Sequence, residues 1–375
     1  MSMRILHVTE VMQGGVTDFI ASITEKQLHE SATVYVFYPE LKQPIQGRIF
    51  LDNLKGESNG SIELNHSPSN GTYQRLFRSI VLVFRIRRIL LKTDFHVVHL
   101  HSSFAGLGRI PTLLRGPATS LVFSPHGMSF LKSNHHSIVS RTFYRIEKYL
   151  AKQDALFICT SNSEAQIVAS QLKPRHKVKV ITNGVNEELI CKMSRNFPAG
   201  RFQIAMIGRI TYQKAPWVFN EIAGICKDFA DFHWIGSEPG VPIKWLDPKN
   251  IKIVPWLSKD ELIKQMERID LLVHPTLWEG FPLSVALAQG RAIPALVSNA
   301  IGNQDVILHG TSGYICNSVP EYVERIKQIT RSKSLYCSLS IGSLTYAKQS
   351  LTNRHLGSRS IDLYLQYFNR ENKSR

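Results

Sequence analysis

Short apolar runs rich in β-branched residues alternate with longer helical patterns along this chain, and the alternation starts twice. The first series has runs at 4–9, 32–37, 96–100, 120–124, 155–159 and 178–181. The second has runs at 202–207, 232–235, 252–255, 271–274 and 295–297. Strands that alternate with helices form parallel sheets, so the pattern predicts an α/β chain of two doubly wound halves.

The boundary between the two series is a short Pro/Gly stretch at 194–200. A chain of 375 residues exceeds the roughly 250–300 residues that one core supports, which favours two domains. We expect domains over 1–195 and 196–350, and an amphipathic C-terminal helix in 351–375 that packs back towards the first. Residues 40–72 are richer in Gly, Asn, Ser and Pro and predict a long excursion. Ligands of doubly wound sheets bind beyond the carboxyl ends of the strands, here in an interdomain cleft.

The net charge of +16 favours polyanionic partners: nucleic acid, anionic lipid or a phosphorylated substrate. No recognition motif supports nucleic acid. The five cysteines are scattered without a C-x-x-C pair, which disfavours structural zinc and a disulfide framework. We see no signal-peptide core and no apolar run of about 20 residues, so a cytoplasmic protein without a spanning helix is expected.

Three groups of residues are suited to binding a diphosphate. Gly14-Gly15 lies between the first strand and its helix, where glycine lets backbone amides approach an anion; a tight turn is the alternative. Arg209 and Lys214 follow the strand 202–207, and a paired guanidinium and ammonium would bind a diphosphate and stabilise it as a leaving group. Two solvated loop cations are the alternative. The start of a helix near 282 could present amides to a phosphate, and its candidate residues are Phe281, Pro282, Leu283 and Ser284.

Two further residues are candidates for contact with a sugar. Glu279 lies in the loop between the strand 271–274 and the next helix, and its carboxylate could accept hydrogen bonds from hydroxyls. A carboxylate that only stabilises a helix N-terminus is the alternative. His126, within Ser124-Pro-His-Gly127, ends a strand of the first series and could bond a sugar or phosphate oxygen. We find no Asp-x-Asp, P-loop or G-x-S-x-G motif, so no metal site is expected.

Several motifs occur in order along almost the whole chain. They are Gly14-Gly15, His99-Leu-His-Ser-Ser103, Ser124-Pro-His-Gly127, Thr160-Ser-Asn-Ser-Glu164, Asn183-Gly-Val185, Gly208-Arg209 with Gln213-Lys214, and the stretch 274–284. With them the chain resembles the retaining glycosyltransferase family 4, the group 1 enzymes of GT-B fold, which have two Rossmann-like domains and an interdomain cleft. The resemblance implies a metal-independent transferase without a cofactor, whose co-substrate is a nucleotide-sugar, expected to be UDP-linked.

The resemblance also implies residue roles. Gly15 would approach the donor phosphate, and His126 would contact the transferred sugar and the reacting region. Arg209 and Lys214 would bind the diphosphate. Glu279 would hold sugar hydroxyls as the first glutamate of the family's E-x7-E motif. The second glutamate, which grips the ribose, is replaced here by Leu287.

The expected reaction is retaining transfer to a glycan or polyprenyl-diphosphate-linked acceptor in bacterial surface polysaccharide synthesis (O-antigen of lipopolysaccharide, capsule or exopolysaccharide). The cations Arg75, Arg78, Arg85, Arg88 and Lys92 share an arc of roughly 140° on a helix over 73–92. This favours peripheral contact with an anionic membrane, the alternative being a solvated helix face. A GT-B sugar-nucleotide epimerase and a binding protein with a decayed site, suggested by Leu287, remain alternative functions.

Overall fold

The computed structural model describes residues 2–10, 14–39, 62–64, 72–110, 119–127, 138–237, 245–247 and 249–374. Contacts divide the chain into two compact units. The first comprises Met1–Asn183 and Arg354–Arg375, and the second comprises Gly184–Asn353. The first unit therefore ends at Asn183, before the expected boundary at 195, and the Pro/Gly stretch 194–200 belongs to the second.

The first unit contains a parallel sheet of seven strands in the order β3-β2-β1-β4-β5-β6-β7. The strands are β1 (Arg4–Thr9), β2 (Thr33–Pro39), β3 (Ile62–Leu64), β4 (Val97–His101), β5 (Ser120–Ser124), β6 (Leu156–Cys159) and β7 (Lys179–Val180). Its helices before the second unit are α1 (Gly15–His29), α2 (Thr72–Leu90), α3 (Ile138–Leu150) and α4 (Asn162–Ile167), with a 3-10 helix at Ala105–Arg109.

Both faces of this sheet are covered, which explains the nearly continuous apolar runs of its strands. Ile5 of β1 packs with Phe19 of α1 in one buried cluster. The next residue, Leu6, points to the opposite face and packs with Val83 of α2 in another. Alternation along β1 thus assigns successive side chains to two cores, as the period of a strand requires.

The second unit has a parallel sheet of six strands in the order β10-β9-β8-β11-β12-β13. The strands are β8 (Phe202–Ile207), β9 (Ala230–Ser237), β10 (Ile251–Pro255), β11 (Leu271–His274), β12 (Ala295–Ser298) and β13 (Gly313–Cys316). The helices are α5 (Pro216–Cys226), α6 (Lys259–Met266), α7 (Leu283–Gly290), α8 (Val319–Arg331) and α9 (Lys333–Ser350). Here too, neighbours on one strand divide between two cores: Ile204 lies in one cluster and Ala205 in the other.

The C-terminal helix α10 (Leu356–Ser374) belongs to the first unit although it follows the second in the chain. Tyr364 and Leu356 of α10 share a buried cluster with Phe19 and Ile23 of α1. A Cβ at Gly357 would lie 2.5 Å from the backbone carbonyl of Lys26. Only glycine therefore allows the backbones of α1 and α10 to approach so closely.

Parts of the expected organisation lie outside the described residues. This holds for most of the excursion over 40–72, within which Ile62–Leu64 forms β3 and α2 begins at Thr72. β3 and β13 were not among the predicted runs: β3 is a three-residue strand inside the excursion over 40–72, and β13 begins at a glycine. None of the described helices is long and apolar enough to cross a membrane.

Candidate functional site

The carboxyl end of β8 is shaped by glycine. Gly208 adopts a φ of 152°, and its carbonyl accepts a hydrogen bond from the indole of Trp234. A Cβ at this position would lie 3.2 Å from Cε of Lys214. Glycine therefore leaves room for the Lys214 side chain to run along the strand end, and Arg209 follows directly, half-buried.

The loops after β8 and β11 are joined at this edge. Lys214 Nζ donates to Glu279 Oε1 over 2.5 Å. The preceding residue, Gln213, donates its side-chain amide to the carbonyl of Trp278 at 2.7 Å and accepts from the amide of Leu277 at its own carbonyl. These contacts between the two loops hold the ammonium beside the carboxylate, and both side chains are largely buried.

Glu279 is kept ionised by its neighbours. Burial alone would raise the pKa of this carboxyl, but the Lys214 ammonium and the hydrogen bond from His274 lower it to about 2. His274 Nε2 lies 3.3 Å from Glu279 Oε1, and a carboxylate only accepts, so this nitrogen carries the proton. The structure thus places at the sheet edge a permanent negative charge that can accept hydrogen bonds from hydroxyls.

The remaining candidates of the second unit follow this loop along the chain, at the start of α7. α7 begins at Leu283 with Pro282 as its N-cap, and Phe281 and Pro282 are buried while Leu283 and Ser284 are half-buried. Leu287, on the same helix, is half-buried and packs against the core cluster that contains Phe281. His274, which was not among the predicted site residues, is brought in by its place at the end of β11.

In the first unit, His126 lies in a turn directly after β5. It has a positive φ of 54°, and Gly127 follows with a φ of 87°. The carboxylate of Glu164, itself buried, accepts from the amide of Gly127 at 2.7 Å and from the amide of Thr160 at 3.0 Å. The segment Thr160-Ser-Asn-Ser-Glu164 thus has a structural role that the sequence alone did not reveal: its last residue holds the His126 turn.

Gly14 and Gly15 lie at the start of α1. Gly14 has a φ of 57° and serves as the N-cap, so a tight turn requires glycine there. A Cβ built on Gly15 would meet no described atom outside its neighbours within 4 Å. Among the described residues the amino end of α1 is open at Gly15. The turn interpretation therefore applies to Gly14, and approach of a phosphate to Gly15 stays a prediction.

Three buried histidines lie close to His126. His7 of β1 and His99 and His101 of β4 place ring nitrogens within 4.8 Å of one another, a spacing that could hold a metal ion. His101 and His126 stack with ring centroids 5.2 Å apart. His99 and His101 were part of a motif in the sequence analysis, but His7 was not. A single histidine inside an apolar strand does not indicate which residues it will contact.

Comparison with known proteins adds to this geometry. A model of Glycosyltransferase Family 4 matches residues 13–189, and a model of Glycosyl transferases group 1 matches residues 201–332. The two models together span most of the chain and cover both sets of candidate residues.

Two bacterial relatives match over much of their length. An uncharacterized 41.2 kDa protein in the cps region of Klebsiella pneumoniae is 25% identical over 89% of this chain and 91% of its own. The UDP-Gal:alpha-D-GlcNAc-diphosphoundecaprenol alpha-1,3-galactosyltransferase of Escherichia coli is 26% identical over 69% of this chain and 73% of its own. Among solved structures, Anabaena HepE in complex with UDP-glucose matches with a TM-score of 0.77 at 16% identity, over 97% of this chain and 100% of that one.

Proposed function

Because the chain belongs to the group 1 glycosyltransferases and has the GT-B fold, we propose that it transfers a hexose from a UDP-sugar to a polyprenyl-diphosphate-linked glycan, with retention at the anomeric carbon. The transfer would be a step in the synthesis of a bacterial surface polysaccharide. This polysaccharide would be the O-antigen of lipopolysaccharide, a capsule or an exopolysaccharide. The observation that carries this proposal is the Lys214–Glu279 pair at the carboxyl ends of β8 and β11.

The donor diphosphate would be bound by Lys214 and Arg209. An ammonium has three donors, so Lys214 can keep its bond to Glu279 and still donate to a phosphate oxygen. The charge that develops on the leaving diphosphate would then be stabilised by cations already held in place. A uridine base is supported by the UDP-galactose named for the Escherichia coli relative and by the UDP-glucose bound to Anabaena HepE.

Glu279 would hold hydroxyls of the donor sugar. Its carboxylate accepts from Lys214 and His274 through Oε1. The second oxygen, Oε2, has one longer contact of 3.4 Å, from the Gln213 amide. Oε2 of an ionised carboxylate can accept hydrogen bonds from two sugar hydroxyls. Lys214 offsets the repulsion between this charge and the diphosphate.

The reaction would proceed without a protein nucleophile. The acceptor hydroxyl attacks the anomeric carbon from the side of the leaving group, the bond to the diphosphate breaks, and a phosphate oxygen takes the hydroxyl proton. His126 would contact the transferred sugar in the reacting region, held in its turn by Glu164. The donor is a co-substrate, and the chemistry assigned to these residues needs neither a metal nor a cofactor.

A lipid-linked acceptor is supported by two basic faces in the first unit. α2 and α3 cover the same face of the sheet, since Val83 of α2 and Phe143 of α3 share one core cluster. The outward side of α2 and the residues after it exposes Phe84, Arg87, Arg88, Leu91 and Lys92; that of α3 exposes Arg141, Arg145, Ile146, Lys148 and Tyr149. Cations interleaved with exposed aromatic and aliphatic side chains favour binding at an anionic membrane surface. The side chains of Arg75 and Arg78 lie outside those described.

The decisive experiment incubates the full-length protein with UDP-, GDP-, ADP- and dTDP-sugars and a synthetic polyprenyl-diphosphate GlcNAc acceptor, with and without EDTA. Product formation from one UDP-sugar, insensitive to EDTA and with an α-linkage by NMR, is expected. An inverted linkage would refute retention. Interconversion of the nucleotide-sugar without acceptor would identify an epimerase, and UDP binding without turnover of any donor would identify a decayed binding protein.

A further inference from the structure

Hydrogen bonds connect His126 to the C-terminal helix through the interior of the first unit. His126 Nε2 lies 2.9 Å from His101 Nδ1, and His101 Nε2 lies 2.8 Å from His7 Nδ1. His7 Nε2 lies 2.9 Å from Gln27 Oε1, and Gln27 Nε2 lies 2.9 Å from Oγ of Ser360. Five side chains from β1, α1, β4, the turn after β5 and α10 thus form one continuous chain, named here the histidine relay.

The direction of the relay is fixed at its far end by a carbonyl group. Oγ of Ser360 donates to the carbonyl of Gly357 at 2.7 Å, and a carbonyl can only accept. The Ser360 oxygen must therefore accept from its other neighbour, so the NH2 group of Gln27 faces Ser360. The carbonyl oxygen of the same amide then faces His7, and His7 must donate from Nε2.

This direction passes from ring to ring. A neutral imidazole has one donor and one acceptor nitrogen, so His7 accepts at Nδ1 from His101 Nε2. His101 in turn accepts at Nδ1 from His126 Nε2. Neutrality is supported by burial, which lowers the pKa of His7 to about 4, that of His101 well below its ordinary value and that of His126 to about 3. His126 is left with an unprotonated Nδ1.

A second branch gives the same orientation of Gln27 independently. Oγ of Ser124 donates to the carbonyl of Ile158 at 2.7 Å, so it accepts from His99 Nε2 at 2.8 Å. His99 therefore accepts at Nδ1 from the hydroxyl of Tyr364 at 2.6 Å. Because the Tyr364 hydroxyl donates its proton to His99, its oxygen accepts from the NH2 group of Gln27 at 3.4 Å. Two carbonyls on different elements thus require one arrangement of protons.

We propose that Gln27 is a positioning residue which, with Ser360 and Tyr364 of α10, fixes His126 in the tautomer that carries its proton on Nε2 and offers Nδ1 as a hydrogen-bond acceptor. Its ligand would be a hydroxyl of the bound sugar or of the acceptor, and this part rests on the proposed function. The relay also explains why the polar side chains of His7, Gln27, His101 and Ser360, from four different elements, are buried together. Each of their hydrogen bonds satisfies a group that would be costly to leave unpaired.

A metal ion at His7, His99 and His101 is the competing interpretation. All six ring nitrogens of these three residues already take part in the hydrogen bonds above. A metal bound to one nitrogen of each ring would displace at least two of these bonds, and the present partner of His99, Tyr364 or Ser124, would lose its hydrogen bond. The structure therefore favours the relay, and elemental analysis of the purified protein decides between the two.

The direct test is NMR of the full-length protein labelled with 15N-histidine, because the two ring nitrogens of each tautomer have distinct shifts. We expect His7, His101 and His126 to carry their protons on Nε2, with less than one equivalent of bound metal. In Gln27→Met the three rings should lose this single tautomer. Thr24→Ala is the matched control: Thr24 is buried on the same helix, and its hydroxyl donates to the carbonyls of Ile20 and Ala21 in that helix.

The kinetic test compares Gln27→Met with Gln27→Glu, whose carboxylate still accepts from His7. Gln27→Met should lower kcat about tenfold, the effect of one hydrogen bond lost in the transition state, with the donor KM changed less than twofold. Gln27→Glu should retain most of the kcat of the natural protein.

The proposal would be overturned by a proton on Nδ1 of His126, by unchanged tautomers in Gln27→Met, or by stoichiometric metal. An active His126→Ala variant would refute the role of His126 in transfer, while the tautomer measurement would still stand on its own.

Discussion

The ammonium of Lys214 and the carboxylate of Glu279 lie 2.5 Å apart although 65 positions separate them in the chain. They meet because β8 and β11 are neighbouring parallel strands, whose carboxyl ends share one edge. The contact stabilises a charge on Glu279. Under the proposed function, it also holds the cation that binds the leaving diphosphate.

Replacement of Lys214 by methionine should therefore damage transfer more than folding. The variant keeps the aliphatic chain beside Gly208 but leaves Glu279 without its cation, so a bound diphosphate would meet an uncompensated carboxylate. We expect the lower kcat/KM to correspond to a loss of about 2–4 kcal/mol of transition-state stabilisation. Arg209→Ala should lose a similar amount. Initial rates with the UDP-sugar measure this. Lys249→Met, at an exposed position of the same unit, is the control. Near-normal rates in both site variants would show that Lys214 and Arg209 do not bind the diphosphate.

The buried histidines should make stability depend on pH. Burial lowers the pKa of His7 to about 4 and that of His126 to about 3, and lowers those of His99 and His101 well below the ordinary value. Between roughly pH 6.5 and 4 the unfolded chain binds protons that the folded protein does not. Stability is therefore full above pH 6.5 and is lost as the pH falls, by about 1.4 kcal/mol per pH unit for each histidine.

Urea denaturation at pH 7, 6 and 5 measures this dependence. His101→Gln should reduce the slope, since one proton is no longer taken up on unfolding, whereas His355→Gln at an exposed position should leave it unchanged. A flat free energy of unfolding over this range would show that the histidines titrate alike in the folded and unfolded chain, and the neutral relay would then be wrong.

The turn that holds His126 depends on a single carboxylate. Glu164 accepts from the amides of Gly127 and Thr160, and both bonds end on a buried charge. Glu164→Ala should lower the free energy of unfolding by about 3 kcal/mol, as expected for two hydrogen bonds to an ionised group. It should also lower kcat more than tenfold at a temperature where the variant stays folded. Chemical denaturation and initial rates test both effects against the exposed Glu188→Ala; normal turnover in the variant would separate the turn from catalysis.

The sequence predicted the architecture well because the apolar pattern reports burial directly. β1, β5, β8 and β11 occupy the expected residues without shift. The sequence placed Lys214 and Glu279 in loops after two strands, but their contact depends on β8 and β11 being neighbours, a strand order that was not predicted. The relay was beyond prediction, since His7, Gln27 and Ser360 meet only through the packing of α10 on α1, at separations of up to 333 positions. The unit boundary at Asn183 was missed for a related reason: the amide of Val185 pairs with Leu351, a contact without local sequence signal.

Membrane binding should depend on charge in α2 and the residues that follow it. The double reversal Arg88→Glu with Lys92→Glu removes two exposed cations and adds two anions. Each basic residue near an anionic surface contributes about 1 kcal/mol, so affinity for phosphatidylglycerol vesicles should fall at least about thirtyfold. Co-sedimentation at low and high salt measures it. Lys259→Glu with Lys264→Glu, on α6 of the second unit, matches the charge change at another exposed site; equal loss in both would point to net charge alone.

Leu287 offers the sharpest test of how the donor ribose is held. It is half-buried on α7, four residues after Leu283, and by the resemblance it corresponds to the second glutamate of the E-x7-E motif. A glutamate at this position would accept hydrogen bonds from the ribose hydroxyls, so Leu287→Glu should strengthen UDP binding about tenfold.

The same variant should lower the free energy of unfolding by about 1 kcal/mol, because a charge replaces an apolar contact. Leu287→Met, which keeps the packing, is the control. Calorimetry with UDP and the UDP-sugar turnover rate of all three proteins are the measurements. Unchanged affinity in a folded Leu287→Glu variant would show that another residue binds the ribose, and turnover gained only in that variant would identify the natural chain as a decayed transferase.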